Sequence, residues 1–226
     1  MQIDIQFRPG NSAAKVKLAP KQECTAQAGA MIAMSGDMGL TTSTHKKTSG
    51  GLLKAAKRML AGESFFLNHY QASSKGGEVW LAPTMSGDMM EYDLDNENLI
   101  VQSGSYMACE PDVNIDMGWQ GFKSFLSGES IFWLHLNGKG KVLLSSFGAI
   151  YPVAVDGEYI VDTGHIVAFN ETLEFKITKA GKSWLQSILG GEGLVCKFHG
   201  KGTVWCQSHN PGSFGHCLTP SLKPRG

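Results

Sequence analysis

The sequence predicts an all-β fold with short helices: a pseudo-threefold internal repeat of β-sandwich-like units within one domain. Two observations carry this expectation. Valines inside short β-prone segments recur at nearly one period, with Val16, Val79, Val142 and Val204 separated by 63, 63 and 62 residues. A second landmark, Gly-Glu running into an apolar strand, stands at Gly62-Glu63, Gly128-Glu129 and Gly191-Glu192. The 28 glycines among 226 residues suit the many tight turns that such a fold needs.

The elements follow in order. Lys15–Leu18, Glu78–Leu81, Lys141–Leu144 and Thr203–Cys206 read as strands that follow Gly-containing turns. A third landmark, Gly-x-x-x-Ala, begins at Gly29, Gly104 and Gly164, with steps of 75 and 60 residues, so loops differ between copies. Before each Gly-Glu lies an amphipathic helix candidate, at 51–60, 122–126 and 183–189; in the first, Leu52, Ala55, Ala56, Met59 and Leu60 recur at helical spacing. The units therefore span about 1–61, 62–127 and 128–190, followed by a C-terminal hairpin at 191–210 and a tail at 211–226. Four Val-containing hairpins against three helices suggest that the last hairpin sits on the N-terminal unit and closes the ring, which would remove exposed strand edges.

Composition excludes several roles. Lys+Arg and Asp+Glu both number 20, so no broad basic field is available for phosphate contacts and nucleic acid is an unfavoured partner. No apolar run is long enough to span a bilayer as a helix, and the N-terminus does not read as a secretory signal. With five cysteines, an odd number, this pattern is that of reduced thiols in a cytoplasmic protein.

The stretch from Gly50 to Ser64, with Gly104-Ser-Tyr-Met-Ala108 and Gly202-Thr-Val-Trp-Cys-Gln-Ser208, resembles bacterial relatives of the "altered inheritance of mitochondria" family. The resemblance runs from about Lys15 to Pro211. It implies a fold like that of the tryptophan RNA-binding attenuation protein, repeated within one chain. It also implies an association with mitochondrial membrane organisation, hence a scaffold, and brings no enzyme activity, cofactor or catalytic residue.

Side chains that could carry chemistry each have a plainer role. Cys196-x-x-His199 and Cys206-x-x-His209, with His216-Cys217 behind them, have zinc-like spacing. A step of three along a strand sends each Cys and its His to opposite faces. Cys196 aligns with Leu67 and Trp133, and Cys206 with Leu81 and Leu144, so both read as core positions. His69 and His135 share one repeat position, with Phe198 in the third copy. Asp93-x-Asp95-x-Glu97 reads as a turn between two strands, since the glycine and glutamate of a calcium loop are missing. Glu63, Glu129 and Glu192 read as turn ligands. Lys46, Lys47, Lys54, Lys57 and Arg58 form the one basic cluster; Lys54, Lys57 and Arg58 share a helix side that could meet an anionic membrane.

No nucleophile elbow, phosphate loop or dinucleotide fingerprint occurs in the sequence. The expectation is a non-catalytic binding or scaffold protein without a cofactor, self-associating and acting on an unknown protein partner or membrane surface. Small-ligand binding, and nucleic-acid binding through Trp80, Trp133 and Trp205, are the alternatives. The candidate binding-face residues are Lys54, Lys57, Arg58, His69 and His135.

Overall fold

A computed structural model describes residues 1–44, 65–118, 133–179 and 194–222 of the chain. The protein is mostly β, organised in large antiparallel sheets. Among the described residues the strands are β1 (Gln2–Gln6), β2 (Ala13–Leu18), β3 (Glu23–Gln27), β4 (Met31–Met34), β5 (Gly39–Thr44), β6 (Phe66–Gln71) and β7 (Gly77–Leu81). There follow β8 (Met89–Gln102), β9 (Tyr106–Cys109), β10 (Val113–Gly118), β11 (Trp133–Ser145), β12 (Ile150–Asp162), β13 (Ile166–Asn170), β14 (Glu174–Lys179) and β15 (Leu194–Gln207). One short α-helix, α1 (Pro211–Leu218), follows β15.

Three sets of strands are wired alike. β11 pairs with β8, β9 and β10, and β15 pairs with β12, β13 and β14. In the first set the long strands are interrupted: β7 takes β2 and β4, while β6 takes β3 and β5. Each Gly-x-x-x-Ala stretch leads into the short strand of its set, β4, β9 or β13. Adjacent sets meet where β3 pairs with β9 and where β8 pairs with β13, both antiparallel. The core follows from alternation: Leu134, Leu136, Val142 and Leu144 on β11 point inward and are buried, as period-2 side chains on a covered face must be.

Three expectations are corrected. The hairpin at 191–210 is instead one strand, β15, and it pairs within the third set, so it does not sit on the N-terminal strands. The glycine expected to turn it, Gly200, lies inside the strand at φ 122. The turn expected at Asp93–Glu97 is likewise part of a continuous strand, β8; Asn96, at φ 57, is an extra residue where the register to β11 shifts at Gly138/Lys139. Here Asp95 bonds Lys139 at 2.8 Å on the surface. The helix candidates, the Gly-Glu landmarks and the unit boundaries near 61, 127 and 190 lie outside the described residues.

The N-terminal segment is tied to the strand connectors by a buried carboxylate. Asp88 accepts Arg8 Nε at 2.8 Å and Arg8 Nη2 at 2.9 Å, a two-pronged ion pair, and also Ser12 Oγ at 2.9 Å and the Met89 amide at 2.8 Å. Burial pushes this carboxyl up, but the Arg8 guanidinium, the Met89 amide and Ser12 outweigh it and hold Asp88 below the ordinary carboxylate range. A depressed folded value stabilises the fold above the unfolded pKa of about 3.9, and that contribution is lost as pH falls through the folded value. Asp88→Asn is expected to cost about 1.5–3 kcal/mol at neutral pH, with a deficit that shrinks as pH drops below about 4. Urea titrations at both pH values check this; an undiminished deficit in acid would show that packing, not charge, holds the site.

Candidate functional site

The connectors between strand sets are stitched together by backbone hydrogen bonds. Asp88 N donates to Gly148 O at 2.9 Å, Gly148 N to Ser86 O at 3.0 Å, and His209 N to Phe147 O at 3.1 Å. Beside them two 3-10 turns, Ser103–Ser105 and Thr163–His165, precede β9 and β13. All three sets thus converge around one cleft of about 430 Å³. Its walls include Gln27 from the first set, Gln102 and Ser146 from the second, and Thr163 and Gln207 from the third.

The walls are positioned by local bonding. The Gln207 amide is used at both ends: its oxygen accepts from the Phe147 amide at 2.8 Å, and its nitrogen donates to Gly164 O at 2.8 Å. His165 Nδ1 lies 2.8 Å from Gln207 O; a carbonyl only accepts, so Nδ1 carries the proton. Asn210 caps α1, its oxygen accepting from Gly212 N at 2.9 Å and Ser213 N at 3.3 Å, with Pro211 at the first helical position. Phe214 packs edge-on against Phe147 at 5.4 Å and seats that helix beside the cleft.

Among the described residues no lining side chain is titratable: amides, hydroxyls, glycines, prolines, Met85, Phe147 and Ile166 make up that part of the wall. Such a surface can hydrogen-bond and exclude water, and its described residues include no carboxylate, imidazole, amine or thiol. Gln27 and Gln102 give it amide donors and acceptors, whereas the amides of Gln207 and Asn210 are engaged with the protein itself.

The residues singled out in the sequence are placed elsewhere. Lys46, Lys47, Lys54, Lys57 and Arg58 lie outside the described residues. His69 is fixed between two hydroxyls, with Nδ1 3.0 Å from Thr25 Oγ1 and Nε2 2.7 Å from Ser43 Oγ. His135, half-exposed, has Nδ1 3.7 Å from Glu171 Oε1. The register also corrects the third member of their series. His69 faces Thr25 and Thr41, and His135 faces Ile100 and Asp116; on β15 the corresponding partners, Ile160 and Lys176, face Lys197 and not Phe198.

Cys196 and Cys206 are buried in the apolar cluster around Phe169 and Phe198. Burial pushes their thiols up to about 12 and about 11, so they stay protonated and inert. His199, His209, His216 and Cys217 are exposed, and among the described residues no group of three or more His, Cys, Asp or Glu is arranged to hold a metal. Trp80, Trp133 and Trp205 are not displayed for base stacking: Trp133 is buried against Phe169, Trp205 meets Tyr92 edge-on at 5.3 Å, and Lys15 lies 5.4 Å over Trp80. No helix among the described residues is long and apolar enough to cross a membrane.

The cleft itself was missed in the sequence because its wall is assembled from separate short stretches. The Asn210-Pro211 pair that starts α1, by contrast, was a readable helix-start signal.

Comparison with known proteins gives consistent relatives. The model of the family described as mitochondrial biogenesis AIM24 matches residues 4–209. An uncharacterized protein of Streptococcus pyogenes serotype M6 is 31% identical over 199 residues, covering 85% of this chain and 79% of its own length. A crystal structure of a Streptococcus pyogenes protein superposes with a TM-score of 0.79 at 26% identity, covering 98% of this chain and 99% of that one.

Proposed function

Since the chain belongs to the mitochondrial biogenesis AIM24 family, we propose that it works by binding and not by catalysis, with the amide-lined cleft as its small-ligand site. The observation that carries this reading is the lining: side chains from three strand sets converge there, and none of the described ones is titratable. A volume of about 430 Å³ is within the range of small-molecule sites. Amides and hydroxyls beside Phe147, Met85 and Ile166 favour an uncharged, hydrogen-bonding ligand with an apolar face. A charged ligand would lose its hydration with no countercharge among the described lining residues to replace it.

Saturation-transfer NMR tests this with neutral probes (N-methylacetamide and methyl glucoside) against charged ones (acetate and guanidinium). Neutral probes are expected to bind the full chain and charged ones to fail. Gln102→Ala should weaken the neutral probes roughly fivefold, about 1 kcal/mol for one hydrogen bond. Met85→Trp, which fills the cleft from a half-buried wall position, should abolish binding while the melting temperature holds. Binding that survives Met85→Trp, or a preference for the charged probes, would overturn the assignment.

A further inference from the structure

We infer that the chain associates head to tail with further copies of itself, strand β4 of one copy adding to strand β12 of the next. The argument rests on the two joints already inside the chain. At the first, Thr25 faces Cys109 and Ala26 faces Ala108. At the second, Ile100 faces Phe169 and Val101 faces Ala168.

Correspondence between the sets comes from register and is independent of the joints. Within each set the short strand meets its long partner across the same one-residue irregularity. Ala33 and Met34 face Trp80 and Val79; Ala108 and Cys109 face Leu143 and Val142; Ala168 and Phe169 face Trp205 and Val204. Ala33, Ala108 and Ala168 therefore occupy one position, as do Met34, Cys109 and Phe169. By the turns that precede β9 and β13, Val101 and Ile100 correspond to Val161 and Ile160.

A third joint of the same kind would set Val161 against Ala33 and Ile160 against Met34. Among the described residues, β12 pairs only with β15 and β4 only with β7. The side chains report the same vacancy. Met107 and Val167, at the irregularity of β9 and β13, are 1% and 0% exposed, whereas their counterpart Ile32 is 58% exposed. Leu99 and Ile100 are 0% and 2% exposed, whereas Tyr159 and Ile160 are 45% and 50% exposed. Apolar residues thus stand uncovered at the one position where the other two sets cover them. The remaining outer strands differ: β5, β10 and β14 are outer strands in every set, and β1 has no counterpart in the other two, so the described residues contain no joint that their edges could copy.

The two open edges are unlike one another and on opposite members of a known joint, so neither can pair with itself in that geometry. The association is heterologous and forms a ring or a filament according to whether its rotation closes. A second copy is the occupant whose edge already has the required spacing, direction and apolar pattern, and unpaired edges of this kind are templates for such addition.

The test uses the full chain with Cys217→Ser, which removes the exposed thiol. One preparation carries Met34→Cys, another Ile160→Cys, and the two are mixed under mild oxidation. A disulfide joining the two different chains is expected, because facing residues of a strand pair bring Cβ atoms to about 5 Å. Sedimentation of the unmodified chain should give a mass well above the single-chain 24.4 kDa. Ile32→Lys or Ile160→Lys should return it to that mass without lowering the melting temperature, while Leu222→Lys, on a residue 64% exposed elsewhere, leaves the assembly intact. A chain that stays monomeric at its highest soluble concentration would overturn the inference. So would an assembly indifferent to both edge lysines, or a doubly substituted chain that links only within itself.

Discussion

Phe169→Ala is expected to lower stability by about 3–5 kcal/mol, the range for removing a large buried aromatic side chain. Phe169 is fully buried on β13. Its ring meets Phe175 at 4.9 Å, Phe198 at 5.0 Å and Trp133 at 5.3 Å, all edge-on, a geometry that adds to simple burial. Its backbone faces Val204 on β15 and Ile100 on β8, so one side chain packs both within its set and across the joint to the next. A cavity there is walled by three strands already held in ladders, which leaves little freedom to collapse and places the cost toward the upper end. Tyr159→Ala removes an aromatic ring of similar size from an exposed position and should change stability by about 0.5 kcal/mol or less in the isolated chain. Urea unfolding of both variants at low protein concentration checks the pair. A Phe169→Ala loss below about 1 kcal/mol would mean that the joint repacks.

That contrast also marks where the sequence was legible. Strand identity could be read from alternation, and the short strands after Gly29, Gly104 and Gly164 could be read from their shared pattern; their steps of 75 and 60 agree with the observed pairings of Ala33, Ala108 and Ala168. What failed was punctuation. Gly138, Gly140 and Gly200 look like hairpin turns but lie inside strands of 13 or 14 residues, each with positive φ. At Gly138 the cause is visible, since an added Cβ would lie 2.2 Å from the Asp112 carbonyl oxygen. A glycine inside a strand then signals close backbone approach and a bend, not an end. The Phe198-for-Lys197 error has the same origin: a slip of one residue exchanges the two faces of a strand. The cleft was illegible for a different reason. Gln27, Gln102, Ser146 and Gln207 are ordinary at strand ends and connectors, and only the convergence of three connectors makes them a wall.

Gly87→Ala tests that convergence directly and is expected to cost about 2–4 kcal/mol. An added Cβ at Gly87 would lie 1.8 Å from Ser146 O, 2.7 Å from Ser146 C and 2.8 Å from Gly148 N. All three are backbone atoms, so no rotamer change relieves the clash and the connectors must separate. Separation breaks the bonds from Asp88 N to Gly148 O, Gly148 N to Ser86 O and Ser146 N to Asp88 O, each worth about 0.5–1.5 kcal/mol net. Gly36→Ala is the matched control: an added Cβ meets nothing within 4 Å and its φ is ordinary, so its effect should be near zero. The consequence for function separates two views of the cleft. If the stitched connectors shape it, Gly87→Ala abolishes neutral-probe binding under conditions where the chain is still folded, because Ser146 and Phe147 move with the clash. Should the folded variant instead bind as the parent does, the wall would owe its form to the 3-10 turns and Gln207 alone, and the connectors would be fasteners between strand sets with no part in the site.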